Sequence, residues 1–271
     1  MPNVVVQQLN RLNDALFKAV IGGNETIALD LINSFLIQQG TPTLQSIAFI
    51  DRELDPVEEE GKESRLDLLG QDSATGAKAN LEVQVIKQEY FGQRSLYYWA
   101  RLYNSLRRGD IYHDLKRTIT ISILDFNLFD PEKYPEPYSC FGLYDLSTGN
   151  QLTTDLEMHF IELPKWHIAK PTAELTAMER WISYFDRKTK LEELEAIAVQ
   201  ATMIKEALAA ENIFTQDEIR RRAYDLAEKA ERDRRGQMDY AHQQGMAQGV
   251  AQGISQGISQ GISQGISQGI S

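Results

Sequence analysis

The sequence predicts an α/β fold: a mixed central β-sheet flanked by helices, followed by a helical C-terminal extension. Three observations carry this. Helix-period and strand-period segments alternate through about residue 170. Residues 118–126, Thr-Ile-Thr-Ile-Ser-Ile-Leu-Asp-Phe, are β-branched nearly throughout. From Thr172 onward the pattern turns wholly helical.

Residues 9–37 repeat apolar side chains at three-and-four spacing, from Leu9, Leu12 and Leu16 to Phe35 and Leu36. Gly22-Gly23-Asn24 interrupts them, which predicts two helices with Asn24 capping the second and Gly40-Thr-Pro42 ending it. Residues 44–52 suit a short strand, and the acidic run 51–60 a solvated loop. Residues 63–90 then read as a β-hairpin. A leucine run (Leu66, Leu68, Leu69) leads into the polar turn Asp72-Ser-Ala-Thr-Gly76, after which Leu81, Val83 and Val85 alternate with polar residues. Leu96, Trp99, Tyr103 and Leu106 form one stripe of a following helix that Gly109 would end. Cys140–Asp145 and Leu156–Leu163 are further strands, split by a turn at residues 147–150 and preceded by a proline-rich loop. Leu191 to Ala210 and Ile219 to Ala230 are amphipathic. The chain finishes in Gln-Gly-Ile-Ser repeats. Their glycines cost a helix about 1 kcal/mol each, so this tail is expected to be weakly helical or disordered.

At 271 residues with 42% hydrophobic content, the chain suits one domain and an appendage. A net charge of −11 argues against a uniformly basic nucleic-acid coat. The one cysteine excludes an internal disulfide framework and fits a reducing cytosol. No apolar stretch reaches the roughly 18–20 residues needed to span a bilayer, and the first residues lack the basic and apolar regions of a signal peptide. A cytoplasmic protein that does not contact membrane is the expectation. There is no phosphate-binding loop, dinucleotide fingerprint, zinc-ligand cluster or serine elbow.

Two constellations remain. Period-two alternation puts Glu82 and Gln84 on one face of the second hairpin strand, and Asp67 can lie across from them on the first. Two acids and an amide in apolar segments suit a hard divalent cation with oxygen ligands, or else the solvent-facing side of a plain hairpin. Arg94, Arg101 and Arg108, spaced by seven, share a helix face within a segment of seven Lys/Arg against three Asp/Glu. That face suits either a phosphate backbone or pairing with acidic loops. Tyr97, Tyr98 and Trp99 read as core, the four histidines as structural or surface residues, and Cys140 as lacking a base.

Several further motifs occur in order: Asp14-Ala-Leu-Phe17-Lys18, Arg65-Leu-Asp67-Leu, Leu81-Glu82-Val-Gln84, Phe91-Gly-Gln-Arg94-Ser-Leu-Tyr97-Tyr98, Leu102-Tyr103, Gly109-Asp-Ile-Tyr112, Ile121-Ser-Ile-Leu-Asp125-Phe126 and Phe160-Ile-Glu162-Leu-Pro-Lys165. Together they resemble the PD-(D/E)XK nuclease family transposases, the recombination-promoting nucleases of bacteria, over about residues 10–168; the repeat tail is similar too. The resemblance implies a restriction-endonuclease-like core and Mg²⁺-dependent DNA cleavage. It gives Asp67 and Glu82 as metal ligands, Gln84 in a catalytic position where the wider superfamily has lysine, and Asp14 or Glu25 as an additional acid. A neutral amide can orient a water but supplies no positive charge; Lys87 or Lys62 could do so in space.

The leading expectation is therefore a DNA endonuclease. Arg94, Arg101 and Arg108 would contact DNA. Residues 1–170 would form the nuclease-like domain, 171–244 a helical region through which the chain could self-associate, and 245–271 the repeat tail. The alternatives are a non-catalytic DNA-binding or assembly protein that keeps the fold, and a helical interaction module with the first domain as passenger.

Overall fold

The computed structural model describes residues 9–50, 68–104, 106 and 109–269. Asp67, Lys62, the acidic run at 51–60 and Arg108 lie outside them.

The N-terminal helices follow their local signals. Helix α1 (Asp14–Phe17) starts where Asn13 Oδ1 accepts from the Ala15 and Leu16 amides. A π-helical turn, Lys18–Gly22, continues it. Asn24 caps α2 (Glu25–Gln39) through the Thr26 and Ile27 amides, as its position after Gly22-Gly23 predicts. Gly40, at φ 74°, closes α2 in the left-handed region that a side chain disfavours.

A six-stranded sheet follows, made of β1 (Ala48–Phe49), β2 (Leu68–Gln71), β3 (Lys78–Gln84), β4 (Thr118–Leu124), β5 (Tyr138–Tyr144) and β6 (Gln151–Glu162). Its order is β1-β2-β3-β4-β6-β5. The β3–β4 and β4–β6 pairs are parallel and the other three antiparallel, so the sheet is mixed. Helix α3 (Phe91–Tyr103) is the crossover between β3 and β4. Every residue of β4 is buried, because helices cover both faces of the sheet there. One face carries Ala79, Leu81, Val83, Ile119, Ile121 and Ile123 into a core shared with α1, α2 and the C-terminal helices. The other packs Leu124, Leu156, Met158 and Phe160 against Phe91 and Trp99 of α3.

The β2–β3 turn is held by Asp72. Its Oδ1 accepts from the Ser46 amide and hydroxyl, and its Oδ2 from the Thr75 amide and hydroxyl. Burial opposes the ionised form, but these hydrogen bonds outweigh it and hold the carboxyl down to about 2. A folded-state value below the unfolded one gives stability that is present above about pH 4 and lost as pH falls towards 2. Asp72→Asn is expected to flatten the fall in urea-denaturation stability between pH 5 and 3. A slope equal to the wild type's would show that Asp72 is not its source.

Four more helices complete the chain: α4 (Ala177–Phe185), α5 (Leu191–Gln200), α6 (Thr202–Gln216) and α7 (Glu218–Gly269). Thr176 and Glu179 form a reciprocal capping box on α4. The single amphipathic stretch expected over 191–210 is two helices, broken at Ala201, whose φ −122° and ψ 94° are extended. Trp181, Phe185, Ile197 and Phe214 join the core built on α1 and α2. A cut at Lys170 would therefore remove part of that core, which counts against the passenger reading. The repeat tail, expected to be weakly helical or disordered, is helical in α7; no proline interrupts its 52 residues. The chain divides into two compact units, Met1–Tyr224 and Asp225–Ser271. No single helix among the described residues is long and apolar enough to cross a membrane.

Candidate active site

The site lies where β3 passes beneath α3. Pairing aligns Glu82 with Ser122 and Phe160, and Gln84 with Leu124 and Glu162, so both side chains share one face, as the alternation predicts, and α3 covers that face. On the other side of β3, the antiparallel ladder ends among the described residues at the pair Leu68–Leu81. The next residues in sequence past that pair are Asp67 and Glu82.

Helix α3 is fixed over the sheet at several points. Trp99 Nε1 donates to the Thr118 carbonyl at 2.8 Å, and Lys78 Nζ donates to the Leu102 carbonyl at 2.6 Å, near the helix C-terminus. Tyr103 donates its hydroxyl to Asp155 at 2.9 Å. The helix begins at Tyr90, a non-glycine residue at φ 61°, in a region bulky residues seldom occupy. The buried stripe that results is Phe91, Ser95, Trp99 and Leu102. Leu96 and Tyr97, both expected inside, are exposed instead. The turn that puts Phe91 and Trp99 into the aromatic cluster rotates them outward.

The same rotation brings Arg94 inward. Its Nη2 donates to Glu82 Oε1 at 2.8 Å and to Gln84 Oε1 at 3.3 Å. Its Nη1 donates to Gln88 Oε1, and the guanidinium lies over the Phe91 ring, 4.9 Å from its centroid. Arg94 Nε is buried with no hydrogen-bond partner among the described residues. Gln84 Nε2 donates to the Ile86 carbonyl at 3.1 Å, so both ends of the amide are engaged. Burial pushes the Glu82 carboxyl above the ordinary carboxylate range, and the charge and hydrogen bond of Arg94 pull it back only in part.

The other predicted residues fall elsewhere. Arg101 lies over the exposed Tyr97 ring, 5.9 Å from its centroid. Asp14 pairs with Lys18 Nζ at 2.7 Å, and Glu25 is exposed in the first turn of α2. Lys87 Nζ donates to the Asn127 carbonyl. Burial and then the charge of Glu157 push the Cys140 thiol up to about 11, away from the thiolate form that a nucleophile needs. His159 is buried, with Nδ1 against the Tyr138 hydroxyl at 2.9 Å.

Two residues around the site were not singled out by pattern. Gln88 engages Arg94, and a glutamine in a short connection gives no periodic signal. Glu162, fully buried on the same sheet face, takes Lys165 Nζ at 2.6 Å and the Leu128 and Phe129 amides at 2.6 and 3.0 Å. It thereby holds the loop after β4. Its signal was an acid at the end of an apolar strand, three residues before a lysine.

Among the described residues, no group of three or more His, Cys, Asp or Glu could hold a metal ion. The oxygens of Glu82 and Gln84 nonetheless suit a hard divalent cation, and Asp67 is the further acid the sequence offers. No curated protein and no solved structure matches the chain. A family model does, that of the PD-(D/E)XK nuclease family transposases, over residues 11–241. The mixed sheet flanked by helices agrees with that nuclease-like fold, and the chain belongs to the PD-(D/E)XK nuclease family transposases.

Proposed function

We propose that the protein is a Mg²⁺-dependent DNA endonuclease that hydrolyses phosphodiester bonds in transposition or recombination. Membership of the family points to a nuclease role and to DNA as substrate, and PD-(D/E)XK nucleases generally use divalent metal ions. The observation that carries the reading is the sheet face itself. Glu82 and Gln84 project together from β3 under α3, and Asp67 directly precedes β2 in the sequence.

Asp67 and Glu82 would hold the metal. When bound, such an ion lowers the pKa of a water and opposes negative charge on the phosphate. Water adds to phosphorus through its oxygen as the bond from phosphorus to the leaving sugar oxygen breaks. One proton of the water ends on that oxygen. Gln84 contributes orientation: Arg94 and Ile86 fix its amide, leaving one N–H and one oxygen lone pair to position the attacking water. Arg101, half-buried over the exposed Tyr97 ring, would contact the phosphate backbone.

Nicking of a supercoiled plasmid tests this. Wild-type protein is expected to cut with Mg²⁺ and not with EDTA, and an Asp67→Ala/Glu82→Ala double variant to cut with neither. Undiminished cutting by the double variant would remove the site assignment. Salt-dependent DNA binding without any cutting would point instead to a non-catalytic protein on the same fold.

A further inference from the structure

Arg94 stands on the face of α3 where spacing alone suggests a phosphate contact, yet it turns away from solvent onto Glu82 and Gln84. We infer that Arg94 is the charge-bearing positioning residue of the site, supplying through Glu82 and Gln84 the positive charge that the neutral Gln84 lacks. The inference rests on the nuclease reading and goes beyond it.

The first ground is geometric. One nitrogen, Nη2, bridges the carboxylate and the amide, so a single guanidinium holds both at once. The Gln84 oxygen is aimed at Arg94 while one of its N–H groups donates to Ile86, so losing Arg94 would loosen the orientation of the amide. The second ground is the support behind it. Gln88 and the Phe91 ring hold the guanidinium from two sides, and α3 is pinned at Trp99 and Lys78. Arg101, by contrast, has an exposed tyrosine beneath it. The third ground is the unused donor. Arg94 Nε is buried without an acceptor among the described residues, a state that costs free energy until one arrives. Lastly, phosphodiester hydrolysis builds negative charge on the phosphate. A guanidinium keeps its charge at any working pH, and its fork suits oxygen pairs.

A positive charge that shares Glu82 with an incoming cation also competes with it. Removing Arg94 should therefore tighten metal binding while slowing cleavage, a pair of opposite effects that loss of structure would not produce. The experiment compares wild type, Arg94→Gln and Arg94→Lys. It measures Mg²⁺-dependent plasmid nicking, Mn²⁺ affinity without DNA by electron paramagnetic resonance, and duplex affinity in EDTA across salt concentrations.

Arg94→Gln is expected to lower kcat by about 10²-fold, to tighten Mn²⁺ binding several-fold, and to leave duplex affinity and its salt dependence unchanged. Arg94→Lys, which keeps the charge but not the fork, is expected to recover about tenfold of the lost kcat. Wild-type nicking in Arg94→Gln would overturn the inference. So would a duplex affinity that falls with the salt slope reduced by about one, which marks a phosphate contact. If Arg94→Gln melts well below wild type, Arg94→Lys decides: a loss as deep as that of Arg94→Gln overturns the charge role. A wild type that does not nick removes the nuclease reading and this inference with it, which separates that failure from the others.

Discussion

Glu82→Gln is expected to lower Mg²⁺-dependent nicking by about 10³-fold while the protein stays folded. The substitution keeps the shape and one acceptor oxygen but removes the negative charge that a divalent cation needs. Metal stabilisation of charge in a phosphoryl transition state is worth several kcal/mol, and about 4 kcal/mol corresponds to roughly 10³-fold in rate. The structural cost should be far smaller. The Glu82 and Arg94 side chains are 15% and 27% exposed, so solvent partly screens the Arg94 charge that the substitution would leave unpaired. The new amide oxygen can also still accept from Arg94 Nη2. Plasmid nicking, thermal melting and Mn²⁺ affinity measured on the same preparation check this. Retention of more than a tenth of wild-type cutting would show that Glu82 is not a metal ligand.

Glu211→Ala is expected to destabilise the protein by about 3–5 kcal/mol, or roughly 10 °C in Tm. Glu211 on α6 accepts from Arg11 Nε and Nη2, 200 positions earlier in the chain, and both side chains are only 7% exposed. Arg11 also donates Nη1 to the Tyr184 carbonyl and lies over the Tyr184 ring. Alanine would leave a guanidinium in the core facing only Tyr184 among the described residues, and desolvation of an uncompensated charge dominates the result. An Arg11→Met/Glu211→Leu double variant, which removes both charges, should recover most of the loss. Thermal and urea denaturation read both. A Glu211→Ala protein as stable as wild type would mean that the pair does not tie the N-terminus to α6.

Much of this fold is written locally. Asn24 after two glycines, Gly40 after an apolar helix and the β-branched run of β4 each set backbone geometry within a few residues, so each element appears where its pattern places it. The pairing of Glu82 with Gln84 is equally local, because side chains two apart on a strand share a face whatever surrounds them. The tail shows the limit of such reasoning. Glycine propensities argued against a helix, whereas α7 runs through the repeats.

Non-local choices were not legible. Spacing by seven puts Arg94 and Arg101 on one side of a helix but does not say which side turns inward. Burial of Phe91 and Trp99 against β4 and β6 decided that, bringing Arg94 to Glu82 and leaving Tyr97 outside. Nothing local to Arg11 or Glu211 announces a partner 200 residues away, nor that α4 to α6 would complete the core begun by α1 and α2. The sequence by itself determined the element types, the caps, the mixed α/β class and the acid–amide face of β3. Only the tertiary structure decided which cation faces that acid and amide. Backbone conformation answers to neighbours along the chain, whereas the rotation of a helix on a sheet answers to the total apolar area it can bury.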